Sequence, residues 1–142
     1  MPESVMLRER YPVEAGAFQT AGEASGKIKA TLKKLGVDSG IVRRVSIAAY
    51  EVELNLVIHS LGGEMELIVR PDFLELNVRD KGPGIPNIDL AMSEGFSTAT
   101  DDVRMMGFGA GMGLPNMKRN ASAFNIQSEV GVGTTIEMGF KL

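Results

Sequence analysis

Residues 41–60 read IVRRVSIAAYEVELNLVIHS, and this stretch predicts a buried helix that carries polar side chains at regular intervals. Glu51, Asn55 and His59 recur every four residues, so on a helix they form one stripe with successive side chains about 40° apart. Glu53 lies about 160° around the axis from Glu51 and is predicted to be a solvated surface residue. Glu51 and Asn55 stand among apolar positions and therefore need a partner where they point.

The pair formed by Glu51 and Asn55 has a functional and a plain interpretation. A carboxylate and an amide carbonyl one turn apart in an apolar surround can orient a nucleophile and ligate a hard cation. Alternatively, the polar stripe of the helix meets water or another chain. The helix alone does not distinguish these interpretations, so the other motifs of the chain are needed to choose between them.

The composition limits the classes of protein that need to be considered. At 142 residues the chain is predicted to be a single domain spanning 1–142. Lys and Arg total 15 against 18 for Asp and Glu, a net charge of −3 that favours neither nucleic acid nor an anionic membrane as a partner. The absence of cysteine excludes disulfides and thiolate metal sites, and one histidine is too few for a histidine-based zinc site. The charged start and the lack of a long apolar run predict a cytoplasmic protein without signal or membrane span.

Sequence periodicity predicts the order of the helices and strands. Residues 5–13 alternate as in an edge strand, and helical spacing predicts a helix at 18–35 before the central helix, which Asp38 or Ser39 caps. The elements that follow are a hairpin, a short helix, a mobile loop, a helix and a second hairpin: 64–79, 87–95, 96–106, 114–123, and 124–130 with 134–141. We expect an α/β (α+β) two-layer sandwich, with a mixed, mostly antiparallel sheet and helices on one face.

Two glycine clusters, DKGPGIP at 80–86 and GFGAGMG at 107–113, mark candidate ligand-binding loops. The second cluster leaves backbone N–H groups exposed beside a predicted helix start, an arrangement that can bind phosphate groups. It matches neither the dinucleotide fingerprint nor the P-loop. In the first cluster, Asp80 at a strand end can accept a hydrogen bond from an exocyclic amine such as that of adenine, while Gly82 and Gly84 let the ring approach the backbone. Both clusters are also compatible with loops that bind nothing.

Four motifs follow one another along the chain: Glu51-x-x-x-Asn55, DKGPGI at 80–85, GFGAGMGL at 107–114 and GVGTT at 131–135. Together they resemble the motifs of the Bergerat-fold (GHKL) superfamily of gyrase, heat-shock chaperone, histidine kinase and mismatch-repair ATPases. Further stretches are similar to the stand-alone serine/threonine kinases that serve as anti-sigma factors or switch kinases in bacterial partner switching: EVELNLVIH at 51–59, GFST at 95–98 and GLPNMKR at 113–119. The resemblance implies the Bergerat ATP-binding fold.

The resemblance also implies a role for each matching residue. Asn55 would ligate Mg²⁺, and Glu51 would be the catalytic base that acts on a serine or threonine hydroxyl of a partner protein. Asp80 would recognise the adenine amine, with Gly84 and Thr134 completing the purine site. The segment 97–113 would be the lid that wraps the phosphates. The other residues implied to bind the cofactor lie in the loops, in this lid and after it: Gly82, Ile85, Ser97, Thr98, Gly107, Gly109, Gly111, Met112, Gly113, Leu114 and Lys118.

The implied function is an ATP-dependent protein serine/threonine kinase that uses ATP and Mg²⁺ to phosphorylate a small, anti-anti-sigma-like regulatory protein. A different interpretation is a non-catalytic switch, in which nucleotide sets the lid conformation and the protein sequesters a sigma factor or another regulator. A third is a nucleotide-binding domain that has lost turnover, which the presence of both Glu51 and Asn55 disfavours. Analogy with the family adds the expectation of a homodimer.

Overall fold

The computed structural model describes residues 5–82, 84, 85, 88, 92 and 113–142. In these residues five strands and three helices follow in the order β1 (Leu7–Val13), α1 (Glu23–Lys34), α2 (Ser39–His59), β2 (Gly63–Val69), β3 (Phe73–Asp80), α3 (Gly113–Asn120), β4 (Ala123–Glu129) and β5 (Gly133–Lys141). The strands form one sheet in the order β1-β2-β3-β5-β4, and all four pairings are antiparallel. The sheet is therefore antiparallel throughout the described strands, without the parallel pairing that a mixed sheet would contain.

Side chains alternate between the two faces of the sheet. In β3, Leu74, Leu76 and Val78 are buried against the helices, whereas Glu75 and Asn77 between them point to the opposite face. The helices cover the apolar face, because that is where burial removes most hydrocarbon from water. The predicted two-layer sandwich with helices on one face is confirmed. Among the helices of the described residues, none combines the length and apolarity needed to cross a membrane.

The central helix α2 forms as predicted. The side chain of Asp38 caps its N-terminus by accepting the backbone N–H of Gly40 at 3.0 Å. Val45, Val52 and Leu56 lie on the face that packs into the core and are at most 1% exposed. This packing fixes the rotation of α2 about its axis, and with it the directions of the polar side chains.

Glu53 contradicts the sequence prediction. The residue is 2% exposed, and its carboxylate accepts the backbone N–H groups of Gly22 at 3.0 Å, Ala24 at 3.2 Å and Ser25 at 2.9 Å. These groups belong to the start of α1, where no local side chain caps the helix. The prediction of a solvated surface residue is wrong because the side of α2 opposite Glu51 faces the start of α1 rather than water.

The first helix begins later than predicted. Residues 18–22 form turns, and α1 starts at Glu23 instead of residue 18. Of the short helix predicted at 87–95, the structure describes Ile88 and Met92, whose backbone groups form a helical hydrogen bond of 2.9 Å. The remainder of that segment and the predicted loop at 96–106 lie outside the described residues.

We expect Glu53→Ala to lower the free energy of unfolding by about 2 kcal/mol, because it removes three charge-assisted hydrogen bonds and leaves buried N–H donors unsatisfied. Chemical denaturation measures the loss. Glu14→Ala is the control, since Glu14 is exposed and its loss should change stability by less than about 0.5 kcal/mol. Equal stability of the two variants would show that the carboxylate does not stabilise α1.

Candidate functional site

Glu51 and Asn55 meet the beginning of α3. A Cβ atom placed on Gly113 would lie 3.4 Å from Oε2 of Glu51 and 3.5 Å from Oδ1 of Asn55. The amide of Asn116, one turn further along α3, donates to Oε1 of Glu51 over 3.4 Å. The first turn of α3 thus lies against a carboxylate and an amide oxygen, close enough that a Cβ on Gly113 would be in van der Waals contact with both.

Asp80 ends β3 and is oriented by β5. Its Oδ1 accepts the backbone N–H of Thr134 at 2.8 Å, and within the described part of the chain its Oδ2 has no hydrogen-bond partner. The hydroxyl of Thr134 lies 2.8 Å from that of Ser128, which also accepts the backbone N–H of Ile85 at 2.7 Å. One carboxylate oxygen is therefore fixed by the fold, and the other is left for a donor from outside.

Two glycines allow the backbone to close around Asp80. Gly84 has φ +74°, and a Cβ there would lie 2.5 Å from the carbonyl oxygen of Glu129. A Cβ on Gly133 would overlap the carbonyl oxygen of Asp80. Larger residues at either position would push the loop after β3 away from the turn between β4 and β5.

The two polar centres are joined by the C-terminal end of α2. The backbone N–H of Leu61 donates to the carbonyl of Lys81 at 2.7 Å, and Gly82 packs against Ser60. From Ser60, Asn55 lies about 8 Å and Glu51 about 14 Å back along the helix axis at 1.5 Å per residue. The Asp80 loop and the Glu51–Asn55 pair therefore lie along one helix, separated by a distance suited to an elongated ligand.

Burial raises the pKa of the Asp80 carboxyl above its ordinary value of 3.8, and the hydrogen bond from the Thr134 backbone opposes this shift. The folded protein therefore holds the Asp80 proton to higher pH than the unfolded chain does. The fold therefore stabilises the protonated form of this carboxyl more than the ionised form.

The structure describes ten of the residues predicted to form the site. Gly82, Leu114 and Thr134 are buried, and Gly113 is half-buried beside Glu51 and Asn55. Lys118 is exposed on α3. The other six predicted residues lie outside the described residues: Ser97, Thr98, Gly107, Gly109, Gly111 and Met112.

Sequence reasoning missed two residues of the site, Asn116 and Ser128. Asn116 follows Gly113 by three positions, so helical spacing places it over the same surface. Ser128 stands directly opposite Thr134 in the β4–β5 pairing, which the tight turn between these strands predicts. Both could have been found by extending each motif by one turn or one cross-strand neighbour.

The amide oxygen of Asn55 suits Mg²⁺, which needs only one or two protein ligands, better than it suits a metal that takes all its ligands from the protein. Among the described residues, no group of three or more His, Cys, Asp or Glu side chains could hold a metal ion. Mg²⁺ takes oxygen ligands, keeps several waters and is usually held by one or two protein oxygens plus phosphates. The amide oxygen of Asn55, which lies beside Gly113, is one such neutral protein oxygen.

Comparison with known proteins adds independent findings. Residues 40–142 match the family described as histidine kinase-, DNA gyrase B- and HSP90-like ATPase. The chain is 32% identical over 109 residues to the serine/threonine-protein kinase RsbT of Bacillus subtilis, an alignment that covers 74% of this chain and 76% of RsbT. The anti-sigma F factor of Geobacillus thermodenitrificans is 30% identical over 92 residues, with coverages of 61% and 60%. That of Geobacillus stearothermophilus is 26% identical over 115 residues, with coverages of 77% and 75%.

Proposed function

The chain belongs to the family of histidine kinase-, DNA gyrase B- and HSP90-like ATPases, and on that basis we propose that it is a protein kinase that transfers phosphate from ATP to a serine or threonine of a small regulatory protein. The resemblance predicted from the motifs is confirmed by the family match and by the similarity to RsbT. The observation that carries the proposal is the approach of Glu51 and Asn55 to the first turn of α3.

One end of the site is suited to the phosphates and the acceptor hydroxyl. Backbone N–H groups at the start of α3 attract anions, and Asn55 supplies a neutral oxygen for Mg²⁺. Bound Mg²⁺ would neutralise the charge of the phosphates. Glu51 accepts the proton of the serine or threonine hydroxyl, and its hydrogen bond to Asn116 helps to hold the carboxylate in place.

The other end is suited to a purine. The free Oδ2 of Asp80 accepts a hydrogen bond from the exocyclic amine of adenine, while Thr134 holds Oδ1. The backbone near Gly84 and the side chain of Ile85 provide the surface beside the ring. A guanine base would present a carbonyl oxygen to the same carboxylate, so the arrangement favours adenine.

A second function is supported by the similarity to anti-sigma F factors. In that case, the protein sequesters a sigma factor in a nucleotide-dependent manner, and phosphate transfer is secondary or absent. The two functions require the same ATP site and differ in whether Glu51 acts on a partner. They can therefore be separated by substitution of that residue.

Isothermal titration with ATP and ADP, with and without Mg²⁺, tests the nucleotide site. We expect Asn55→Ala to weaken the binding of Mg-ATP about tenfold, the effect of losing one metal ligand, and to change Mg-free binding little. Asn125→Ala is a suitable control, because this exposed residue of β4 bonds to Glu137 on the opposite face of the sheet. Absence of nucleotide binding by the unsubstituted protein would exclude both functions.

A further inference from the structure

A groove of about 690 Å³ runs between α1 and the first half of α2. Its apolar lining includes Val37, Ile47 and the partly exposed side chain of Tyr50. Along α2 the groove extends from Ser39 to Glu51, which is about 18 Å at 1.5 Å per residue. It could therefore seat five or six residues of an extended chain, at about 3.3 Å per residue.

The rim of the groove is cationic, although the chain as a whole carries a net charge of −3. Lys29 and Lys33 stand one turn apart on α1, and Arg43 faces the groove from α2. All three are exposed, and none forms an ion pair with another residue in the described part of the chain. The positive charges are thus available to a ligand.

Charges of opposite sign lie at different positions along the groove, so its two ends are not equivalent. Glu51 closes one end, whereas Arg43 lies eight residues earlier on α2, about 12 Å away along the axis. An extended chain covers that distance in three or four residues. A ligand with its hydroxyl at Glu51 would therefore bring side chains three or four positions away close to Arg43.

We infer that this groove is the docking site for an acidic, extended segment of the phosphoacceptor protein, with acidic residues three or four positions from the serine or threonine that is modified. The inference rests on the proposed kinase function, because Glu51 supplies the reason for the hydroxyl at that end. Apolar side chains of the segment pack on Ile47 and Tyr50, and its carboxylates pair with Lys29, Lys33 and Arg43.

An anionic membrane surface fits these features less well. The site is a concave channel between two helices, whereas a lipid surface requires a convex or flat face. The carboxylate of Glu51 at its end would repel a lipid phosphate, and three cations are fewer than the clusters that bind anionic membranes.

Fluorescence anisotropy with a labelled serine peptide tests the inference without ATP. The peptide carries glutamates three and four positions from the serine and leucines between, and a second peptide has lysines in place of the glutamates. We expect K29A/K33A/R43A to weaken binding of the acidic peptide tenfold or more, with the loss shrinking at high salt. The control K27A/K34A/R44A removes the same charges from exposed positions of the same helices outside the groove, and should bind as the unsubstituted protein does.

Each outcome of this experiment decides the matter. Equal binding by the two triple variants, equal binding of the two peptides, or no binding of the acidic peptide would overturn the docking site. Groove-dependent binding to vesicles of anionic lipid but not to the peptide would assign the groove to a membrane instead. The melting temperature and ATP affinity of each variant verify folding. Since peptide binding needs no phosphate transfer, failure of the docking site and failure of the kinase function are observed separately.

Discussion

Glu51→Gln is expected to reduce phosphate transfer to a partner protein by about 10²–10⁴-fold, the usual contribution of a general base. The amide keeps the shape of the side chain but cannot take up the hydroxyl proton. Glu51 and Asn55 both lie beside Gly113. The substitution changes only Glu51, so the Asn55 oxygen proposed as the Mg²⁺ ligand stays in place. Affinity for Mg-ATP should therefore stay within about threefold, a difference of less than 1 kcal/mol.

Transfer of labelled phosphate from ATP, measured with regulatory proteins encoded beside this gene, provides the readout. Glu64→Gln is the control, because Glu64 is exposed on the strand β2. Undiminished transfer by Glu51→Gln would remove Glu51 from the mechanism. If the unsubstituted protein binds ATP and captures a sigma factor but phosphorylates no partner, sequestration is its function.

Asp80→Asn is expected to weaken ATP binding by about a hundredfold or more while leaving the fold intact. The amide oxygen can accept the N–H of Thr134 as Oδ1 does now, which turns the amide nitrogen towards the ligand. A donor then faces the donor amine of adenine, so one hydrogen bond is lost and two donors are left opposed. Titration calorimetry with ATP measures the loss.

Asp80→Asn should weaken ATP binding but raise the stability of the folded protein. Because burial raises the pKa of Asp80, the stability of the unsubstituted protein falls as pH rises from about 3.8 through the raised value. Asp80→Asn lacks this proton equilibrium, so its stability relative to the unsubstituted protein should increase over the same pH range. Asp72→Asn, in the exposed turn at the other end of β3, is the control. Reduced stability of Asp80→Asn at neutral pH would contradict a primarily ligand-binding role for the carboxylate.

Local patterns were sufficient to predict most of the fold. The alternation of Leu74, Leu76 and Val78 located β3, and the capping residue Asp38 located the start of α2. Both features depend on neighbours within a few residues along the chain. The stripe formed by Glu51 and Asn55 was also visible, since helical geometry alone places these side chains on one face.

Contacts between distant segments were not predictable in the same way. Periodicity gives the angle of Glu53 around α2 but not the element that it faces, which is the start of α1, 28 to 31 residues earlier. A signal did exist in the sequence, because Gly22 cannot cap α1 with a side chain and the helix needs acceptors from elsewhere. For Ser128, the pairing with Thr134 across a tight turn was visible in the sequence, but its hydrogen bond to Ile85 in another loop was not.

The contacts of the buried Glu53 carboxylate also show that the region matched by the family model and the region that packs together begin at different residues. The family match starts at residue 40, whereas the backbone groups that satisfy this carboxylate belong to Gly22, Ala24 and Ser25. A fragment trimmed to residues 40–142 would lack α1 and β1, so Glu53 would lose its three donors and face water, and the edge of β2 would be uncovered. The region that the family model matches is thus shorter than the unit that packs together, because residues of β1 and α1 belong to the same core.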